Sequence, residues 1–138
     1  MSVRLNVVTV VVDDYEKALK FYTDVLGFEK RTDMQLGPAS RWLTVAAPGQ
    51  DVEILLQKPD PAVHGAAHAK KLSERVGEGT TWVLATDDCH ASYELLRSRG
   101  ARFTEAPKEV PWGTQAVLKD LYGNTFALVQ LHSAVVAA

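Results

Sequence analysis

The chain has 138 residues, 46% of them apolar and 23% charged, and its 15 Lys and Arg against 17 Asp and Glu leave a net charge of −2. That length is one domain's worth of chain and buries enough surface to fold without a disulfide or metal staple, while the composition excludes a disordered or fibrous protein. Without a basic stripe no nucleic-acid partner is expected; no apolar run is long enough to span a bilayer, so no membrane partner is expected either. No secretory leader is legible, and the single cysteine, Cys89, cannot form an intrachain bridge, so the expected compartment is the cytoplasm.

Residues 5–12 are β-branched and predict a strand. Asp13 and Asp14 follow as helix N-cap candidates, because a carboxylate there accepts the free amides of the first turn. Ala18, Phe21, Tyr22 and Val25 fall at helical spacing and predict a helix over 15–26, stopped by Gly27. A strand is expected on 28–31, then a hairpin of strands 42–46 and 52–57 around Pro48-Gly49-Gln50. Residues 58–78, with Pro59, Pro61 and glycines around a helical stretch at 66–76, read as a linker.

The series then repeats. A strand at 80–85 precedes Asp87 and Asp88 and a helix ending at Gly100. Strands at 102–105, 115–119 and 125–131 follow, the last two joined around Gly123-Asn124. One offset of 74 residues relates Asp13-Asp14 to Asp87-Asp88, Ala18 to Ser92, Phe21 to Leu95, Gly49 to Gly123 and Val52 to Phe126. Such a repeat defines the architecture: an α+β chain of two βαβββ modules, 3–57 and 79–132, within one domain. Strand alternation assigns Val52, Ile54 and Leu56 to the helix side. Glu53, Leu55 and Gln57 share the other face, and a charge amid apolar neighbours there points to a cleft.

Two segments carry a resemblance: Val10-Val-Val-Asp-Asp-Tyr-Glu-Lys-Ala-Leu-Lys-Phe-Tyr-Thr-Asp-Val-Leu-Gly-Phe28 and Asp120-Leu-Tyr-Gly-Asn-Thr-Phe-Ala-Leu-Val-Gln130. Both are similar to the vicinal oxygen chelate superfamily, which includes glyoxalase I, extradiol dioxygenases, fosfomycin-resistance enzymes and bleomycin-binding proteins. The resemblance implies the glyoxalase/bleomycin resistance/dihydroxybiphenyl dioxygenase-like fold, in which each module curls into a half-barrel sheet. It also implies a divalent-metal site, with ligands on the first and fourth strands of each module. Those positions carry over to Val7, Glu53, Thr81 and Ala127.

Only Glu53 among the four is a strong metal donor. Valine and alanine have no lone pair, a threonine hydroxyl is a weak ligand, and a catalytic metal usually keeps about three protein ligands. A one-residue slip would bring in Asn6, still a poor ligand. The expectation is therefore a protein without a cofactor that binds a small amphipathic or aromatic molecule. Val7, Trp42, Glu53, Thr81, Trp112 and Ala127 are its candidate ligand-binding residues, the two tryptophans by stacking on a planar group. The alternative is a metal-dependent lyase, isomerase or dioxygenase that uses Glu53 in a non-standard site; a structural or regulatory member without ligand is a third reading. A homodimer is expected, because curled sheets leave strand edges that a two-fold partner buries.

The remaining reactive residues form no constellation. His64 and His68 are four apart, a spacing that places two imidazoles on one helix face, but they lack a third donor and read as solvated. Cys89 and His90 lie at a helix start, away from the cleft, and Cys89 reads as a buried or incidental thiol. His132 falls at the end of the last strand, and Trp82 points toward the helices. Glycine-rich phosphate loops, nucleophile elbows and Ser-His-Asp sets are all missing from the sequence.

Overall fold

A computed structural model describes residues 4–38, 40–77 and 81–132. The chain divides into two compact units, Met1–Glu78 and Gly79–Ala138, and each repeats one plan. In the first, β1 (Val7–Val11) leads to α1 (Tyr15–Lys20), then β2 (Glu29–Gly37), β3 (Ser40–Ala46) and β4 (Glu53–Gln57). The strand order is β1-β4-β3-β2, with β1 parallel to β4 and the other pairs antiparallel. The second unit runs β5 (Thr81–Ala85), α4 (Cys89–Ser98), β6 (Arg102–Val110), β7 (Gly113–Lys119) and β8 (Thr125–Leu131). Its order, β5-β8-β7-β6, is the same topology. Between these series lie α2 (Pro61–His64) and α3 (Ala66–Ser73), both within the first unit.

The helix starts follow the sequence reading. Asp14 Oδ1 accepts the Lys17 amide at 2.9 Å, and Asp88 Oδ1 accepts that of Ala91 at 3.0 Å, as N-caps do. The first helix departs from expectation after one and a half turns, where Phe21–Val25 continue as a π-helical turn. The Leu26 amide reaches back five residues to the Phe21 carbonyl, 3.2 Å away, while the Thr23 hydroxyl donates to the Leu19 carbonyl. This wider turn accompanies the full burial of Tyr22, whose ring lies edge-on to Phe21 and against Phe28. The expected helix at 66–76 ends at Ser73, and the left-handed Gly65 (φ +81°) separates it from α2.

Strand alternation places the cores. Ile54 and Leu56 are buried with Val10, Leu43 and Tyr22 on the helix side of the first sheet. In the second, Ala116, Leu118 and Leu128 are buried with Phe126, on which Trp82 packs edge-on at 5.9 Å. The edge strands β2 and β6 extend well past residues 31 and 105. Register shifts after Lys30, Gln35, Phe103 and Glu105 let polar, turn-like sequence stay paired, which is how bulges accommodate residues that do not alternate.

Register also corrects the repeat. Val12 N–H bonds the Gln57 carbonyl, and Thr86 N–H bonds that of Val129. Residues 12 and 86 are 74 apart, but residues 57 and 129 are 72 apart. Val7 pairs with Glu53, whereas Thr81 pairs with Thr125, and Ala127 lies opposite Val83. The structural counterpart of Glu53 is therefore Thr125, not Ala127: the helix with the π-helical turn is one residue longer in the first unit, so that Gly27 and Gly100 are 73 apart, and the loop 120–124 before β8 is one residue shorter than the loop 47–52 before β4. Asp120 shapes that turn: its Oδ1 accepts the amides of Tyr122 and Asn124 at 2.8 Å, and its Oδ2 accepts the Asn124 side-chain amide.

Candidate ligand-binding face of the first unit

The side of the first sheet turned away from α1 carries Val7 and Thr9 from β1, Glu53, Leu55 and Gln57 from β4, and Trp42 and Thr44 from β3; this follows from the register pairs Val7–Glu53, Thr9–Leu55 and Thr44–Leu55. Glu53 is not a free carboxylate. The Thr44 hydroxyl donates to its Oε1 at 2.7 Å and accepts the Thr32 amide at 3.1 Å, and Thr44 is fully buried. Thr44 lies one strand away from Glu53 and diagonal to it across the antiparallel pair.

This donor set does not fit the divalent metal that the fold implies. Val7, opposite Glu53, offers no lone pair, and one Glu53 oxygen already takes the Thr44 hydroxyl. Among the described residues no group of three or more His, Cys, Asp or Glu side chains could hold a metal ion.

Nearer the far ends of β3 and β4 the same face hollows into a cavity of about 150 Å³. Leu36, Trp42, Leu55 and the Tyr15 ring supply its apolar wall; Gln57, Lys58 and His64 supply its polar end, with Ser40 and Arg41 at the margin. Trp42 is 40% exposed, so an aromatic face stands open to solvent beside a buried strand. His64 reaches the cavity because Asp60 caps α2, accepting the Ala62 amide at 3.0 Å, and this turn folds the imidazole back onto β4. The Asp60 amide donates to His64 Nδ1 at 3.2 Å, and the Gln57 amide group faces Nε2 at 3.3 Å. The imidazole is thus flanked by the Asp60 backbone amide on one ring nitrogen and the Gln57 side-chain nitrogen on the other.

Arg41 braces this end. Its guanidinium forms a bidentate pair with Asp33 (3.1 and 2.7 Å), meets Glu16 at 2.7 Å and lies 5.2 Å over the Tyr15 ring. The hydrogen bond from Arg41 holds the Asp33 carboxyl below its ordinary range, and the two carboxylates raise the Arg41 value in turn. The Arg41 amide also donates to the Tyr15 hydroxyl at 3.3 Å.

A larger hollow, about 360 Å³, lies where the chain enters β1 and β4. Arg4, Leu5, Asn6 and Asp51 on its border are themselves exposed, so it offers a ligand little desolvation.

The other sequence candidates separate. In the second unit Ala127 shares a sheet face with Val83, and Thr125 takes a hydrogen bond from Lys119 Nζ at 3.1 Å; the Thr81 side chain lies outside the described residues. Trp112 sits in the β6–β7 turn, 43% exposed, with its indole N–H donating to Gln115 Oε1 at 3.1 Å. Cys89 is fully buried, and that burial pushes its thiol pKa up. His64 and His68 do meet, ring centres 5.8 Å apart, but on two helices rather than one. Tyr15, Gln57 and Lys58 were not singled out from sequence as ligand-binding residues. The outward alternation of Gln57 was legible, whereas the fold of α2 over the sheet was not.

With this geometry in place, the family follows. The model for the Glyoxalase/Bleomycin resistance protein/Dioxygenase superfamily matches residues 4–128, and the chain belongs to that superfamily. It is 30% identical to the protein YetH of Bacillus subtilis (strain 168) over 128 residues, 93% of this chain and 98% of that one. Among solved structures it is similar to UcmS2, 38% identical with a TM-score of 0.82 over 94% of this chain and 98% of the other. It is also similar to TnmS3, an antibiotic binding protein from Streptomyces sp. CB03234, 32% identical with a TM-score of 0.73 over 95% and 98%. No helix among the described residues is long and apolar enough to cross a membrane.

Proposed function

We propose that this protein binds a small aromatic or amphipathic molecule on the open face of its first sheet without a metal. The observation that carries the reading is the cavity of about 150 Å³ beside the half-exposed Trp42, apolar on one wall and hydrogen-bonding at its end. Such a mixed pocket is the usual form of a small-molecule site. The kinship with an antibiotic binding protein supports it, and the pairing of Glu53 with Thr44 weighs against chemistry at the ancestral metal position. The wider reading includes a homodimer, since β1 and β2 end the first sheet and β5 and β6 the second, and a reducing compartment, in keeping with a lone thiol.

The test is a titration of labelled protein with a panel of planar aromatics of one to four rings, following the Trp42 indole N–H by NMR with and without added Zn, Mn or Fe. Saturable shifts at Trp42 that ignore the metal are expected, and Trp42→Ala should weaken binding about tenfold. Binding that requires metal, or that leaves Trp42 unmoved, overturns the reading.

A further inference from the structure

The chain carries a net charge of −2, yet the cavity at Trp42 is bordered by no Asp or Glu among the described residues; its ionisable neighbours are Arg41, Lys58, His64 and Tyr15. These four are not equivalent. Arg41 is compensated by Asp33 and Glu16. Lys58 forms no ion pair or hydrogen bond among the described residues, so the cavity's uncompensated charge is one ammonium. The hydrogen-bonding groups around it are chiefly donors. Tyr15 accepts the Arg41 amide and has its own O–H left to give; Gln57 sets its side-chain nitrogen 3.3 Å from His64 Nε2, and that NH2 has a second hydrogen to give. A cavity whose spare hydrogens converge beside a lysine takes an acceptor-rich, negatively charged group.

Volume limits the rest of the ligand. About 150 Å³ is the size of cavity that holds one benzene ring. Trp42 presents its face beside Leu36 and Leu55, and a single ring stacked there fills the apolar wall while its substituent reaches Lys58. We propose that this site selects a one-ring aromatic group bearing a carboxylate or similar anion, and that Lys58 is the residue that sets the charge preference. The inference rests on the binding reading above and adds to it the chemical class of the ligand and the residue that discriminates. A polycyclic molecule would have to seat one ring and project the others beyond the cavity.

Benzoate, benzamide and benzylamine share a shape and differ in charge, which makes them suitable probes. Each is titrated into the intact protein, with NMR following the Trp42 indole and the Gln57 side-chain amide. Benzoate is expected to bind about fivefold more tightly than benzamide, the scale of one solvent-exposed ion pair, with benzylamine weakest. Lys58→Gln, an exposed substitution whose fold the same spectrum verifies, should remove that preference. Salt at about 0.5 M should narrow it as well. Equal binding of all three probes, or a benzoate preference that survives Lys58→Gln, overturns the charge selection while leaving aromatic binding intact. Binding of larger planar aromatics with no response to any single-ring probe overturns the size assignment alone. Silence from every aromatic, one ring or several, removes the binding reading with it.

Discussion

The two units share one topology and treat the sheet faces turned away from their helices differently. In the first, the position opposite the start of β1 is a carboxylate, Glu53, held by a buried hydroxyl from β3. In the second, the matching position is Thr125, and the donor is Lys119, whose ammonium also reaches the Gly123 carbonyl at 3.3 Å. Acid with hydroxyl has become hydroxyl with cation. The ionic contacts differ as well: Arg41 ties α1, β2 and β3 together through Glu16 and Asp33, whereas the second unit, among the described residues, shows the local pairs Lys108–Glu105 and Arg97–Glu94. The difference teaches where a duplicated module can specialise. Topology and the helix-side core are common to both copies. Hydrogen-bond partners on the open face are free to diverge, because they are not needed to bury the helix.

The largest test of this comparison concerns the hairpins. A Cβ on Gly113 would stand 2.0 Å from the Gln130 carbonyl oxygen, whereas one on Gly37, in the β2–β3 hairpin, meets nothing within 4 Å. Gly113→Ala must push β7 from β8 and should cost about 3 kcal/mol or more, as overpacking does. Gly37→Ala should stay within about 0.5 kcal/mol. Urea melts of both variants measure this, and equal midpoints would break the contrast between the two turns.

A middle-sized effect belongs to the buried hydroxyl. Thr44→Val keeps the volume but leaves the Glu53 oxygen without its donor and the Thr32 amide without its acceptor. The expected loss is about 1–3 kcal/mol. Lys119→Met, which cuts the corresponding contact of the second unit, should cost within about 0.5 kcal/mol because its ammonium is partly solvated. Denaturant titration of the pair ranks them directly, and a reversed ranking would show that the two faces carry the opposite weights.

The smallest effect depends on pH. Arg41 holds the Asp33 carboxyl below its ordinary value, so the pair stabilises the fold fully above the unfolded value near 4 and loses that contribution as pH falls through the lower folded value. Arg41→Met should therefore destabilise at pH 7 by about 1 kcal/mol or less, since the Asp33 carboxylate still meets solvent. The gap from the parent protein should close below about pH 4. Lys108→Ala in the second unit should show no such closing gap. Melts across pH 3–7 supply the comparison.

The Asp caps, the β-branched runs and the turn glycines are local signals, and they made the βαβββ repeat legible because capping and strand alternation act over a few residues. The motif at 10–28 was sufficient to suggest the family that the comparisons show. Local signals failed where non-local packing chose among alternatives. The π-helical turn at Phe21–Val25 accompanies a Tyr22 buried by partners outside the helix, and the long edge strands β2 and β6 depend on bulges that only their partners define.

The candidate site divides along the same line. Trp42 and Glu53 were legible because alternation along a strand assigns a face, and the weakness of Val7 as a metal position was legible from its chemistry alone. That Glu53 belongs to Thr44, that Thr125 rather than Ala127 is its counterpart, and that His64 and Lys58 close a cavity over Trp42 were decided by register and by the path of α2. A sequence determines which side chains share a face through the periodicity of its own backbone. Which faces and loops meet depends on hydrogen bonds and burial between residues far apart in the chain, and only the folded structure selects those.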